Sequence, residues 1–600
     1  MIGAKNSSYL TNPKIPQIAA ILGFMLYTAF AAFAGNTSLP NMDEGSFLLK
    51  GLTFVDGKYQ YLQPYSYWNN KMYLPFYIFG WLQAAFGTGL WIPRVFAFCL
   101  SVASLGIVWR VSNNKLPGWP TAFLIWVFAL SLGWVNILAK ANTQILTHFL
   151  LVCILAIYSQ RNLPNVRMVA GGVLMGVLLL TRETLLFLAV PWLFFLFWAY
   201  GKRQAMVGTI SFVIVLMVGN LIYYPEILDL WRRVLPRAKY LEPFVETVAK
   251  SGKAEKASLA GRLASLAQGV GVYPVLLFAA LKSTSMLLLK LPAKNGWSFE
   301  DKLAIFLAAG MLSVFLPHAY AALALSYCVY CFSTYLGFFM VICSFLFIQT
   351  WPRLSARPKS AMSNVLSYLS FGVVVVFLVV NHYNLIGRSV ASAGVGSLTI
   401  GAILANKFYA NPAEVDILAT ALMALIAGAS LLIMPIAGNK QEWVYKLPQY
   451  FLPVLLVYQF GVTIASRPTS DCAAESVPLW FNQVGEDLQK KIPVDASVYI
   501  DGANASLPLL YLNDRHFFPP QVNNYYSFKD QPDSDSLLRD GFWNATLKEQ
   551  WRKTASVYIF DKDSLPEYDE EMDLSSFKST TYIYPQGGCA PKIEYYVFVR

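Results

Sequence analysis

Charge is what this chain has least of. Only 13% of its 600 residues are Asp, Glu, Lys or Arg, against about 25% in soluble domains. With 56% of the residues hydrophobic, there is too little polar surface to cover several soluble cores, and the composition reads as a polytopic membrane protein. Histidine is scarcer still: the four residues contain no pair with metal-ligand spacing, which leaves a dedicated metal site unsupported. The polar C-terminal region has neither a Gly-rich phosphate loop nor a G-x-S-x-G elbow. No internal repeat is visible, and no charged low-complexity arm points to nucleic acid, so no nucleic-acid partner is expected. Of the seven cysteines, Cys99, Cys153, Cys328, Cys331 and Cys343 fall in apolar runs and read as buried small hydrophobes. Cys472 and Cys589 bracket the polar C-terminal region and are disulfide candidates if that region faces an oxidising compartment.

What is present is a series of long apolar runs. A span needs about 20 mostly apolar residues. By that measure the chain has thirteen, at 16–35, 91–110, 119–138, 143–160, 166–181, 184–201, 205–223, 271–290, 302–321, 325–350, 363–383, 414–436 and 447–465. The first lacks a small-residue cleavage site and is expected to be retained. Lys and Arg fall in alternate loops: Lys5 and Lys14, Arg110 and Lys115, Arg161 and Arg167, Lys202 and Arg203, Lys290 to Lys302, Arg353 to Lys359, Lys440 and Lys446. Because cytoplasmic loops carry the positive excess, the net charge of +12 is accounted for by orientation. The N-terminus is then cytoplasmic and, after thirteen crossings, the C-terminal region lies outside, periplasmic in a bacterial inner membrane. The predicted fold class is an α-helical polytopic membrane protein with exoplasmic loop helices and a C-terminal soluble α/β domain. Its expected domains are 1–467 and 468–600. The second is marked by β-type runs such as ASVYIDG, ASVYIFD and EYYVFVR beside the amphipathic WFNQVGEDLQKKI. Two exoplasmic loops stand out, 36–90 and the basic, helix-patterned 224–270, which suits the surface of an anionic leaflet.

The loop 36–90 opens on adjacent carboxylates, Asp43 and Glu44, just beyond a membrane helix, and carboxylates there are costly unless paired, solvated or in use. Neighbours in a helix splay by about 100°, so one working carboxylate with a structural companion is expected. Asp43 also fits the bland role of capping a short helix over GSFLLKGL. Cations that could meet a phosphate are Lys71 and Arg94 in or bordering this loop, Lys140 in LAKANTQ and Arg182 in LLLTRETL, for each of which the alternative is a snorkelling interfacial side chain. Tyr59, Tyr73 and His318 are candidate sugar or acceptor contacts, among aromatics that otherwise form an interfacial belt.

A first exoplasmic loop opening with an acidic pair resembles the C-type (GT-C) membrane glycosyltransferases, including the protein O-mannosyltransferases and the lipid A aminoarabinose transferases. Gly57-Lys58-Tyr59 is similar to, though one residue shorter than, a G-x-x-Y pattern that follows the acidic pair in such enzymes. WNNKMYLPFYIFGWLQAAFG is similar to their Lys-Pro-Pro, aromatic and Phe-Gly stretch, with Lys71 at the Lys position and Phe86-Gly87 at its end. Asn70 stands where the aminoarabinose subfamily carries Glu, and its Pro-Pro is broken up here. The resemblance implies a polyprenyl-phosphate-sugar donor (undecaprenyl phosphate in bacteria) and a lipid, glycan or protein acceptor. It further implies Asp43 as the base that activates the acceptor. A divalent cation, Mg or Mn, beside Asp43 and Glu44 is the one cofactor this admits, and none is required. The alternative is a transporter or flippase of a lipid-linked saccharide. That class commonly shows internal repeats and midplane polar sites, whereas the ionisable residues here gather at the exoplasmic ends of spans.

Overall fold

The computed structural model describes residues 14–40, 42–59, 72–225, 273–290, 297–324, 339–354, 476–502, 506–519, 545–562, 574–584 and 593–600, with isolated positions between them. Helix α1 (Lys14–Thr37) opens the membrane part, followed in the first loop by α2 (Met42–Val55) and α3 (Leu74–Phe86). Then come α4 (Trp91–Lys115), α5 (Trp119–Ala129), α6 (Leu132–Leu138), α7 (Thr143–Tyr158), α8 (Asn165–Thr181), a 3-10 turn at Glu183–Leu185, α9 (Leu186–Tyr200) and α10 (Lys202–Leu221). Three more apolar helices are described: α11 (Pro274–Lys290), α12 (Phe299–Ala324) and α13 (Phe339–Leu354). Among the described residues, five helices are long and apolar enough to cross a membrane: Lys14–Thr37, Trp91–Lys115, Glu183–Tyr200, Lys202–Leu221 and Phe299–Ala319.

Most of the expected spans meet a helix. One does not survive intact: 119–138 is two helices, broken at Leu130 and Ser131. Hydropathy runs straight through this break. In space the second piece turns aside so that Asn136 hydrogen-bonds Ser38 at the end of α1. The expected span 325–350 is described as helix only from Phe339, and only isolated positions of 363–383 are described. The spans at 414–436 and 447–465 lie outside the described residues, as does most of the loop 224–270. Polar side chains lock the bundle where a hydroxyl has no water to bond: Tyr27 to Ser101 across α1 and α4 at 2.6 Å, and Ser283 to Thr350 across α11 and α13 at 2.6 Å.

Within the first loop, α2 and α3 cross at two glycines. A Cβ on Gly51 would overlap Phe76 O and sit 2.8 Å from Gly80 N, so the backbones touch where any side chain would hold them apart. Phe47 and Phe54 of α2 pack around Phe76 of α3, with ring centroids 4.8 Å and 5.7 Å apart. This segment was expected to be an aromatic loop with one short helix. Its apolar aromatics instead build a small helical layer of their own.

The C-terminal part is the expected α/β unit. Helix α14 (Val477–Lys491) precedes β1 (Ser497–Asp501), α15 (Ser506–Tyr511), β2 (His516–Phe518), α16 (Ala545–Thr554), β3 (Val557–Asp561), β4 (Lys578–Tyr584) and β5 (Ile593–Val599). The sheet order is β2-β1-β3-β5-β4. β2, β1 and β3 run parallel, with Tyr499 opposite Tyr558, while β5 lies antiparallel to both β3 and β4. Helix α14 buries Trp480, Phe481, Val484 and Leu488, the 3.6-residue stripe legible in WFNQVGEDLQKKI. The unit rests on the first loop: Lys58 donates to Asn513 O at 2.9 Å and Arg515 O at 3.0 Å, Asn513 Nδ2 donates to Asp56 at 2.8 Å, and Ser476 donates to Asn36 at 2.6 Å. The α/β unit and the acidic loop therefore share one face of the membrane part.

Candidate active site

The acidic pair begins α2. Asp43 and Glu44 occupy its first turn, where the unsatisfied amides and the positive end of the helix dipole favour negative charge. Their environments diverge as the helical splay predicts: Asp43 is half-buried and Glu44 fully buried. Glu44 receives a bidentate fork from Arg94, Nε to Oε1 at 3.0 Å and Nη2 to Oε2 at 2.8 Å, and Oε1 also accepts the Ala141 amide at 2.9 Å. Burial alone would raise the Glu44 carboxyl. Arg94, the Lys140 charge and the Ala141 amide outweigh it and hold the group below its ordinary range.

Arg94 is 2% exposed. Besides Glu44 it donates from Nη1 to Gly35 O and Ser38 O, both at 2.9 Å, supplying carbonyls at the end of α1 that lack helical partners. One guanidinium thus ties α1, α2 and α4 together. This departs from the expectation for Arg94, whose donors face inward to these partners and not toward a donor phosphate. The same holds for Glu44, whose two oxygens are engaged by Arg94 and Ala141.

The Ala141 contact fixes the loop that carries Lys140. Next in the chain, Asn142 caps α7, its Oδ1 accepting from the Gln144 and Ile145 amides at 3.0 Å and 3.4 Å. Asn142 before the apolar run from Thr143 was a readable start signal, which sets Lys140 just outside a helix N-terminus. Lys140 is 5% exposed; its carbonyl accepts the Asn142 amide at 3.0 Å, while its ammonium donates no hydrogen bond among the described residues. Burial pushes its ammonium down to about 8, with Glu44 working against that shift and Arg94 reinforcing it.

Arg182 arrives at the same helix end from the α8 to α9 connection. Its extended backbone ends α8, and Nη1 reaches Thr143 Oγ1 at 3.3 Å. His318 of α12 lies within electrostatic reach of Arg182. Its Nδ1 bonds Val314 O at 2.8 Å, so Nε2 accepts from the Thr184 hydroxyl at 3.1 Å. Lys140, Arg182 and His318 are thus brought to one end of the bundle, around the start of α7. Tyr73 is used in packing: its hydroxyl donates to Gly219 O at 3.0 Å, and its ring lies 5.0 Å from Tyr223. Tyr59 is buried after α2, 9% exposed, which raises its phenol. Lys71, Cys472 and Cys589 lie outside the described residues. The residues that sequence reasoning missed are those contributing backbone atoms (Gly35, Ser38, Ala141) and small hydroxyls (Thr143, Thr184), whose roles follow only from proximity. No group of three His, Cys, Asp or Glu side chains assembles among the described residues.

A helical membrane bundle with a helical first loop and an α/β unit seated on it is the GT-C fold. Among solved structures, ArnT from Cupriavidus metallidurans bound to undecaprenyl phosphate superposes with a TM-score of 0.52 at 12% identity, over 96% of this chain and 97% of that one. The oligosaccharyltransferase of Archaeoglobus fulgidus in its apo form matches with a TM-score of 0.42 at 11% identity, over 91% of this chain and 70% of its own. The mycobacterial arabinofuranosyltransferase AftD matches at 0.43 and 13% identity, over 98% and 40%. No family model matches the sequence, and neither does any curated protein.

Proposed function

We propose that the chain is a polyprenyl-phosphate-dependent glycosyltransferase. It works at the outer face of a bacterial inner membrane, with the N-terminus cytoplasmic and the α/β unit periplasmic. The observation that carries this reading is Lys140. A buried ammonium without a hydrogen bond among the described residues, beside the acidic turn and across α7's start from Arg182, calls for an anion. The donor's lipid phosphate is that anion. Lys140 and Arg182 neutralise charge on the phosphate as it leaves, and the positive end of the α7 dipole favours the same charge. Asp43 accepts the acceptor's proton as its oxygen attacks the anomeric carbon. The carbon–oxygen bond to phosphate breaks, and the polyprenyl phosphate departs as the anion.

Glu44 and Arg94 brace this arrangement without taking part in the chemistry, and Lys71 is a further candidate for the phosphate. A divalent cation at Asp43 would draw its other ligands from phosphate and water, because Glu44 is engaged. The acceptor is a lipid, glycan or protein.

The test is transfer of labelled sugar from a panel of polyprenyl-phosphate donors by purified protein, wild type beside Asp43→Asn. Turnover in the wild type that drops at least a hundredfold in Asp43→Asn, with binding of polyprenyl phosphate retained, is expected. Equal turnover in both would remove Asp43 from catalysis. Transport of lipid-linked sugar across liposomes without any transfer would replace the reading with that of a flippase.

A further inference from the structure

The α/β unit touches α2 at both ends and at the acidic turn itself. Before the helix, Ser476 bonds Asn36. After it, Lys58 reaches the Asn513 and Arg515 carbonyls, and its ammonium lies 4.0 Å from the centre of the Phe517 ring. Between these, Gly45 follows Glu44 directly and lies against the start of α15. A Cβ at Gly45 would overlap Ser506 Oγ and come within 3.2 Å of Ser506 Cβ and 3.3 Å of Leu507 Cγ. Ser506 is 1% exposed, and its hydroxyl has no hydrogen-bond partner among the described residues. The other wall is equally unyielding, since Glu44 is fastened to Arg94 and Ala141. The first turn of α2 is therefore held between the membrane bundle on one side and α15 on the other.

Resting on the reading of Asp43 as the base, we propose that α15, through Ser506 against Gly45, is a positioning element that sets the depth of the acidic turn. The α/β unit is then part of the catalytic framework. The contact needs glycine at 45 because α15 sits where a side chain would be. It needs a small residue at 506 because that position is itself buried, 1% exposed, with Leu507 against the same glycine. A displacement of about 1 Å in a reacting group is enough to cost about a hundredfold in rate, and a single methyl inserted at Gly45 is of that size.

The test uses the full chain with Gly45→Ala, Ser506→Gly and the double variant. Gly45→Ala is expected to lower kcat at least tenfold with donor affinity within twofold of wild type, since Lys140 and Arg182 are untouched. Amide hydrogen exchange across residues 42–48 should accelerate in the same variant. Ser506→Gly removes both Ser506 atoms that the added methyl meets, so the double variant should recover most of kcat and of the exchange protection. Wild-type kcat and exchange in Gly45→Ala would overturn the proposal, and so would a loss that Ser506→Gly fails to relieve. If the wild type turns over no donor, the proposed function fails. The exchange measurement still decides whether α15 holds the turn.

Discussion

Arg94→Met separates a structural role for the buried guanidinium from a role in phosphate recognition. The substitution removes two of the three hydrogen bonds that the Glu44 carboxylate, 0% exposed, makes among the described residues, and takes the guanidinium from the Gly35 and Ser38 carbonyls. Removing one partner of a buried ion pair costs about 3–5 kcal/mol, and each lost carbonyl bond adds about 1 kcal/mol. Protonation of Glu44 returns part of this, so a net loss of about 4 kcal/mol is expected. Thermal unfolding in detergent should show the midpoint falling by several degrees. Glu44→Leu combined with Arg94→Met should regain most of it, because an apolar pair of similar volume avoids the desolvation of both charges. The acid limb carries the same information. Glu44 titrates below its usual 4.5 in the folded protein, so its stabilisation is fully present above that value and is lost as pH falls through the lower, folded one. Glu44→Gln should lack that part of the acid transition. An Arg94→Met protein with an unchanged midpoint and a tenfold weaker grip on polyprenyl phosphate would refute the reasoning and make Arg94 a phosphate ligand.

Two further outcomes follow from the geometry. Lys140 titrates near 8 in the folded protein against 10.5 unfolded, so apo-protein stability should rise with pH across that interval while affinity for polyprenyl phosphate falls; Glu44 and Arg94 are the charges that act on it. Lys140→Met should raise the apo midpoint at neutral pH and weaken binding at least tenfold, and binding that ignores both the substitution and pH would remove Lys140 from the site. Gly80→Val inserts a side chain where α3 touches Gly51, so a loss of about 1–3 kcal/mol is expected, read as a lower unfolding midpoint; an unchanged midpoint would mean the two helices can part without cost.

Several features of this protein were legible without coordinates because they depend on short stretches of chain. Membrane insertion follows from apolar length, and most of the expected spans among the described residues are helices. The α/β unit announces itself through a change of composition and a period-2 pattern. The divergence of Asp43 from Glu44 follows from helical geometry alone, and Asn142 marks the start of α7. Motif likeness pointed to the GT-C fold, which the superposition on ArnT bears out at the level of fold.

Tertiary structure decided what depends on distance in space. Nothing near Arg94 in the chain says that its partner is 50 residues earlier. A guanidinium at a span's edge reads equally as snorkelling, phosphate-binding or buried, and only the packing of α1, α2 and α4 chooses among these. The break at Leu130 and Ser131 is invisible to hydropathy because both halves are apolar, and it is the turn toward Ser38 that separates them. The contact of Gly45 with Ser506 joins residues 461 positions apart. Local sequence determines which segments enter the membrane and which form helices or strands, because propensity and transfer free energy act over a few turns. Which charge meets which is settled only when the bundle closes, because a buried ion must find its partner there or not be buried at all.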